Sequence, residues 1–206
     1  YIDDLLNGHL YMNAAGYYHG LPGEQGDPLE ASMVPGARLY GNYCLPIYCM
    51  YTVCENDIVD NTVKIPIRMI QEFGCADGWI GIVQYGRFAR LADRHIADGG
   101  SIYAHGPISY GVPGPKLIYE IFEGIPHNLV IKTPKYAYQR EYRIIGTQPV
   151  ECRLIPDEKH PGCKIEEYDH AELDLGSGLT GFSWKVSVAS LEEAKGDLML
   201  ELPHQT

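Results

Sequence analysis

The stretch KYAYQREYRI, residues 135–144, shapes the expected fold more strongly than any other part of the chain. It places three tyrosines and three basic side chains around a single carboxylate, Glu141. Because alternate residues of a strand face opposite sides, the stretch predicts a strand over 138–146 with two unlike faces. A carboxylate flanked by Arg140 and Arg143 is normally paired and ionised. Two interpretations follow: a salt-bridged strand under an aromatic cover, or a carboxylate that the arginines fix at the edge of a cleft.

The composition is that of a soluble globular protein. The chain has 206 residues, of which 45% are apolar and 21% are charged, so we expect a single compact domain over 1–206. Within it, residues 1–145 are expected to form the main part, and 146–206 a strand-rich extension packed on that part. The formal net charge of −11 disfavours broad nucleic-acid binding and would steer a cationic partner toward the surface.

The sequence carries no signal for a membrane or for export. It has no run of 18 apolar residues and no leader pattern, so we expect a cytoplasmic protein that does not associate with membranes. Six cysteines without a leader favour a reducing compartment over a disulfide framework. Because the chain begins at Tyr1 rather than at a methionine, we expect its natural N-terminus to be missing.

Helix and strand patterns are mixed along the chain, without a regular alternation of the two. Amphipathic stretches predict helices over 1–8, 65–74 and 86–100. Apolar or alternating stretches predict strands over 9–13, 45–53, 78–85, 101–111 and 128–134, with further strands after 164. Residues 14–33 and 151–163 predict loops, whereas 115–124 fits a helix or a strand. This mixture predicts an α+β fold with a mixed, mostly antiparallel sheet flanked by a few helices.

Several familiar catalytic motifs are absent from the sequence. It contains no phosphate-binding loop, no dinucleotide-binding glycine pattern, no HExxH and no GxSxG. A metal site could be drawn from His160, Cys163, Asp169 and His170, which are all competent ligands. Their spacing matches no standard zinc pattern, so the segment is interpreted as a solvated loop and no metal is expected.

The motif GDPLE, residues 26–30, predicts a helix start within the long loop. Asp27 is placed to cap a helix that has Pro28 at its first position. Glu30 would then occupy the capping-box position. A functional interpretation is compatible with this one, because the same cap would position a loop that contacts substrate.

Two ordered motifs resemble a bacterial and phage family known as domain of unknown function 2971. The first motif runs from LLNGHLYM to GDPLE, and the second is the tyrosine-rich stretch around Glu141. The residues that match are Asp27, Pro28, Glu30, Lys132, Tyr138, Gln139, Glu141, Tyr142 and Arg143. Gly26 and Leu29 depart from the family, which has Asn and Phe there. The resemblance covers residues 1–145 and implies an accessory role in phages, mobile elements or defence clusters, without an activity.

A looser similarity is with ADP-ribosyltransferase folds, which carry a polar residue on an early strand, a tyrosine midway and a glutamate on a late strand. His9, then Tyr103 or Tyr110, then Glu141 occur in that order here. The similarity implies that NAD is the substrate. It also implies that Glu141 holds a ribose hydroxyl and stabilises an oxocarbenium-like transition state, while a tyrosine stacks on the nicotinamide. The expected catalytic residues are Glu141, Tyr110 and His9, and the expected substrate-binding residues are Tyr103, Asp27, Glu30, Tyr138 and Arg143.

Three functional hypotheses follow from these observations. The first is a phage or mobile-element accessory protein, related to defence, with an ADP-ribosyltransferase-like activity on NAD. The second is a non-enzymatic binding protein, an inhibitor or sensor of a protein or nucleotide partner, which suits the acidic charge and the sixteen tyrosines. A nuclease or deaminase ranks last, because the sequence shows neither a metal-ligand cluster nor a basic groove.

Overall fold

The computed structural model describes the chain in segments. The described residues are 2–19, 21, 32–34, 37–38, 43–73, 79–111, 127–179, 181–187 and 197–202. Asp27 and Glu30 of the GDPLE motif lie outside these segments, as do the helix predicted there and the element predicted over 115–124.

Short helices and many short strands make up the described residues. The helices are α1 (Ile2–Leu6), α2 (Ala15–His19), α3 (Ile67–Phe73) and α4 (Tyr85–Ala97). Short 3₁₀ segments cover Glu55–Asp57, His127–Val130, Pro134–Gln139 and Gly176–Leu179. The strands are β1 (His9–Ala14), β2 (Ser32–Val34), β3 (Ala37–Arg38), β4 (Pro46–Tyr51), β5 (Ile58–Val59), β6 (Thr62–Ile65), β7 (Trp79–Val83), β8 (Ile102–Pro107), β9 (Ser109–Tyr110), β10 (Ile131–Lys132), β11 (Glu141–Gly146), β12 (Cys152–Pro156), β13 (Lys164–Tyr168), β14 (His170–Asp174), β15 (Ser183–Ser187) and β16 (Leu198–Glu201). Within the described segments, no helix has the length and the apolar character needed to cross a bilayer.

Five strands form the main sheet, in the order β14–β1–β4–β11–β8. Every neighbouring pair in this sheet is antiparallel. All six residues of β11 are buried, so this strand is covered on both faces. The remaining strands form smaller sheets, in which the pair β9–β10 is parallel and the other pairs are antiparallel. The predicted α+β fold with a mostly antiparallel sheet is confirmed.

One face of the main sheet, called here the helix face, packs against α4. Leu10 and Met12 of β1 join Tyr142 and Ile144 of β11 in one buried apolar cluster on this side. The members of that cluster from α4 are Phe88, Leu91 and Ala92. Their spacing puts them on one stripe of the helix, and the alternation in β1 and β11 supplies the matching stripe of the sheet.

The opposite face, called here the network face, carries Glu141 and Arg143. The register of β11 with β4 places these two side chains on the same side as Tyr51 and Cys49. Further along the same face, Ile145 enters a second buried cluster, whose other members are Ala15, Tyr43, Ile47 and Leu129. The 3₁₀ segment that contains Leu129 therefore covers this part of the sheet.

Strands from the C-terminal part of the chain complete sheets that begin in the N-terminal part. β14 pairs with β1, β15 with β7, and β16 with β6. The side chains of β6 and β16 contribute to a third apolar cluster together with α3, and its buried members are Val63, Ile65, Met69, Ile70 and Leu200. The strands after residue 146 are thus paired with the earlier strands rather than only with each other.

The structure corrects the prediction for KYAYQREYRI. Residues 134–139 form a 3₁₀ segment, and the strand begins only at Glu141. Pro134 stands at the start of that segment, where its fixed φ suits a helical turn. Arg140 then adopts the left-handed backbone conformation, with φ of 39°, which ends the segment and leads into β11. The strand predicted from residue 138 therefore begins three residues later than expected, whereas the two-sided pattern holds from Glu141 onward.

Other elements also differ from the sequence prediction, and the loop predicted over 14–33 contains α2. The helix predicted over 65–74 is α3, because β6 extends to Ile65 and Pro66 separates the two elements. The strand predicted over 128–134 is mostly a 3₁₀ segment followed by the two-residue β10. The loop predicted over 151–163 contains β12, because its short apolar core pairs with β13. The helix predicted over 86–100 is confirmed as α4.

A glycine at the end of α1 provides a test of the backbone packing. Gly8 has φ of +92°, and a Cβ atom added there would lie 2.0 Å from the carbonyl oxygen of Gly176. Gly99 has φ of +69°, but a Cβ atom there would meet nothing within 4 Å. We expect Gly99→Ala to cost about 1 kcal/mol of unfolding free energy, and Gly8→Ala about 3 kcal/mol because the backbone must also move. Urea denaturation measures both values, and equal costs would contradict the packing argument.

Candidate functional site

A buried network of charges lies at the start of β11. Glu141 is 6% exposed, Arg143 is 1% exposed and Lys132 is 8% exposed. Arg143 donates from Nε and Nη2 to Glu141 Oε1 at 2.7 and 2.6 Å, and Lys132 Nζ lies 2.7 Å from Glu141 Oε2. Arg143 also donates from Nη1 to the carbonyl oxygen of Leu129 at 2.5 Å. Each oxygen of the Glu141 carboxylate is therefore bonded to a cation.

The charges in the network keep Glu141 ionised. Burial alone would raise the pKa of Glu141, but the Arg143 guanidinium and the Lys132 ammonium overcome that effect and hold the pKa at about 2. The Cys49 thiol also forms a hydrogen bond with the carboxylate. Burial, followed by the charge of Glu141, raises the pKa of Cys49, so this thiol stays protonated at neutral pH.

The second arginine beside Glu141 is paired elsewhere. The Arg140 guanidinium donates to the Asp57 carboxylate, and the Arg140 carbonyl accepts a hydrogen bond from the Thr52 amide at 2.9 Å. These contacts offset the cost of a left-handed conformation in a residue that is not glycine, which is on the order of 1 kcal/mol. Of the two flanking arginines in the sequence, the structure thus assigns only Arg143 to Glu141.

A chain of polar contacts connects the network to the surface. Lys132 Nζ donates to Gln139 Oε1 at 3.0 Å, and Gln139 Nε2 donates to the Tyr138 hydroxyl at 3.4 Å. The Tyr138 hydroxyl donates to Glu72, which accepts a further bond from Arg68 Nε at 2.7 Å. The Arg68 guanidinium lies 3.6 Å above the centre of the Tyr138 ring. Burial and the bond to Glu72 raise the pKa of Tyr138 to about 12, so its hydroxyl acts as a donor.

Tyr110 also belongs to this region. The Glu141 amide donates to the Tyr110 hydroxyl oxygen at 2.8 Å. Burial raises the pKa of Tyr110. The charge of Glu141 raises this pKa as well, whereas the charges of Lys132 and Arg143 lower it. The structure therefore brings together four of the predicted site residues, namely Glu141, Tyr110, Tyr138 and Arg143.

His9 and Tyr103 are not part of this network as the structure shows it. The register puts His9 on the network face, but on β1, two strands away from Glu141. Its side chain is 58% exposed, and its Nδ1 lies 3.7 Å from Asp174 Oδ1. Tyr103 is 43% exposed on β8, the edge strand of the main sheet. Among the predicted residues that the structure describes, these two are the ones separated from Glu141.

The main sheet opens between β1 and β4 on the side toward His9. These strands pair only at Asn13–Ile47 and Ala14–Pro46, whereas β4 pairs with β11 over five residues. Pro46 and Ile47 are buried, but the rest of β4 is half-buried although it is an inner strand of the sheet. The ladder thus ends at Asn13 and Ile47, and the unpaired stretch from there to His9 of β1 and Tyr51 of β4 is called here the β1/β4 opening.

A second polar group on the helix face was not predicted from the sequence. The Tyr142 hydroxyl is hydrogen-bonded to His105 Nδ1, and His105 Nε2 lies 2.9 Å from Asp93 Oδ1 on α4. Since the carboxylate only accepts, Nε2 carries the proton in neutral His105 and Tyr142 donates to Nδ1. Burial, followed by Tyr85, raises the pKa of Tyr142 above its ordinary range, so this phenol stays protonated. The three residues lie far apart in the sequence, and no local pattern connects them.

Within the described segments, no three His, Cys, Asp or Glu side chains come together as metal ligands. Of the four ligands considered from the sequence, His160 Nδ1 instead lies 2.7 Å from Asp157 Oδ2 in an exposed turn. His170 lies on β14 and contacts Asp169 and Glu172.

Substitution of Glu141 tests the network through its dependence on pH. Because the folded-state pKa is depressed, the carboxylate stabilises the protein fully above its ordinary pKa of about 4.3, and this contribution disappears as the pH falls toward 2. We expect Glu141→Gln to lower the free energy of unfolding at pH 7 by about 3 kcal/mol, since two cations lose their buried anion. The difference from wild type should shrink between pH 5 and pH 2, as measured by urea denaturation.

Glu167→Gln, at an exposed position of β13, is the matched control and should leave both the stability and its pH profile unchanged. Parallel curves for wild type and Glu141→Gln would contradict the account of the network.

No protein-family model matches this chain, and neither the curated proteins nor the solved structures include a significant match to it.

Proposed function

We propose that this protein is a non-enzymatic binding protein, an inhibitor or sensor of a protein or nucleotide partner. The observation that carries the proposal is the closed environment of Glu141, whose carboxylate oxygens are bonded to Arg143 and Lys132. A carboxylate that stabilises a developing positive charge needs an accessible oxygen and an uncompensated negative charge. Here two cations contact both oxygens, so the arrangement supports a structural role for Glu141 better than a catalytic one.

The exposed half of the network face offers a surface for a partner. The strands β1 and β14 contain no Lys or Arg, and Glu172 and Asp174 are 78% and 66% exposed. On the same face, the rings of Tyr11 and His170 stack with centroids 4.2 Å apart. Acidic groups beside aromatic rings favour a partner rich in Arg or Lys, through electrostatic steering and cation–π contact. The resemblance to a phage and bacterial family supports a role of this kind in a mobile element or a defence system.

An ADP-ribosyltransferase-like activity on NAD is the second candidate, and one observation favours it. Glu141, Tyr110, Tyr138 and Arg143 lie in one connected group, and His9 shares their sheet face beyond the β1/β4 opening. For this activity, Glu141 would have to exchange its bond to a cation for one to a ribose hydroxyl of NAD. The enzyme requires this exchange of bonding partners at Glu141, whereas the binding protein does not.

Incubation with NAD distinguishes the two candidates. For a binding protein, we expect nicotinamide release no faster than in a protein-free blank, with no difference between wild type and Glu141→Gln. Chromatography of the reaction over several hours measures the release, and circular dichroism checks that each variant is folded. Release that Glu141→Gln abolishes while Glu167→Gln retains it would overturn the first candidate and support the second.

Reversal of surface charge tests the partner surface. We expect Glu172→Lys with Asp174→Lys to weaken binding of a basic partner from bacterial extract by about tenfold or more, because like charges then face each other. The control pair is Glu158→Lys with Glu167→Lys, which changes the net charge equally at exposed positions outside this surface. Capture at low salt, followed by titration of the purified partner, gives the two affinities. Equal weakening by both pairs would show attraction to the overall charge and contradict a local surface.

A further inference from the structure

Two cysteines from distant parts of the sequence lie in one cluster beside the main sheet. Cys44 comes just before β4, and Cys152 is the first residue of β12. The Val150 amide donates to the Cys44 carbonyl oxygen at 2.8 Å, so the two backbones run side by side at this point. Cys152 lies directly opposite Tyr168 in the β12–β13 ladder. Both thiols are half-buried and unbonded to another cysteine, so a small oxidant can reach them.

The electrostatic surroundings agree with this geometry. Burial, followed by the Cys152 thiol, raises the pKa of Cys44. The Tyr168 hydroxyl lies 2.6 Å from Glu166 Oε2. Burial and Glu166 raise the pKa of this hydroxyl, and the two thiols raise it further. The two sulfur atoms and the phenol therefore belong to one group of interacting side chains.

Small movements of the backbone would bring the Cα atoms of Cys44 and Cys152 to the separation that a disulfide requires. In an extended chain, the residue two positions beyond a paired residue lies on the same side, and such diagonal neighbours have Cα atoms about 7–8 Å apart. A disulfide joins Cα atoms about 4.4–6.8 Å apart. A shift of about 1 Å would bring Cys152 into that range.

We propose that Cys44 and Cys152 form a reversible disulfide under oxidising conditions, and that this pair is a redox modification site of the protein. A disulfide such as oxidised glutathione supplies the oxidising equivalents. One protein thiolate attacks it and releases one glutathione thiolate, and the second protein thiolate then displaces the other glutathione. Two cysteine thiols are oxidised, one glutathione disulfide is reduced to two thiols, and the protein loses two hydrogens.

The new bond would tie the main sheet to the β12–β13 ribbon. Cys44 is joined through Leu45 to β4, whereas Cys152 begins the ribbon, whose side chains are mostly exposed. The cross-link would close a long loop of the chain and so restrict the unfolded ensemble. Because burial raises the pKa of both thiols, the attacking thiolate is scarce at neutral pH, and formation should accelerate as the pH rises.

Peptide mapping of wild-type protein treated with oxidised glutathione tests the proposal. We expect a linked peptide pair that contains Cys44 and Cys152, that forms several-fold faster at pH 9 than at pH 7, and that dithiothreitol removes. The exposed Cys54 and Cys163 serve as internal controls, since they should carry glutathione without a link. In the variant Cys54→Ser with Cys163→Ser, the linked pair should form unchanged, and its denaturation midpoint should rise on oxidation.

Two outcomes would overturn the proposal. One is glutathione on the exposed cysteines with no link between Cys44 and Cys152 after oxidation to completion. The other is a different pair in wild type, such as Cys44 with Cys49. Cys152→Ser provides the complementary arm, because it should abolish both the linked peptide and the rise in the midpoint. Neither outcome depends on whether the protein binds a partner or acts on NAD.

Discussion

The pairing of Glu141 with Arg143 and Lys132 is the constraint that organises the network face. A strand buried on both sides cannot carry an uncompensated charge, because removing a charged group from water is costly. Arg143 is on β11 itself, whereas Lys132 and the Leu129 carbonyl come from the segment that precedes the strand and must therefore lie over it. Bringing that segment into place also positions Leu129 against Ile145 in the apolar cluster. The polar contacts thus determine where the apolar residues of this segment pack on β11. We infer that these contacts select this one arrangement of the chain more than they add to its stability.

The two faces of the main sheet show different ways of burying polar groups in a central strand. On the network face the groups are charged, and Glu141 is compensated by Arg143 on the same strand and by Lys132 from the segment before it. On the helix face a neutral phenol, Tyr142, reaches a carboxylate on α4 through His105. The first arrangement holds a loop-like segment against the sheet, and the second holds a helix. Consecutive residues of β11 thereby attach the sheet to two separate layers of the protein.

The sequence allowed the fold class and the stronger elements to be predicted, because their signals are local. The amphipathic spacing of α4 and the apolar run of β4 are examples. The predicted start of β11 was wrong, because the strand begins after a left-handed turn at Arg140. That turn depends on contacts of Arg140 with Asp57 and Thr52, which are distant in the sequence. For the site, the arginine beside Glu141 could be expected from spacing alone. Lys132 as a partner of Glu141 and the chain from Tyr142 to Asp93 could not be predicted, because only the tertiary fold brings those residues together.

The pairing of late strands with early ones has a consequence for how the chain acquires its structure. β1 receives β14 on one edge, so that edge stays uncovered until residues 170–174 are available. Contacts between residues so distant in sequence form slowly, because closing a long loop costs conformational entropy before the contacts contribute any stabilisation. During synthesis the N-terminal strands would emerge with unpaired backbone edges, which are the surfaces that chaperones protect and aggregates exploit. The absence of Lys and Arg from β1 removes one common safeguard, so the protection of this edge against aggregation depends on how fast β14 pairs with it.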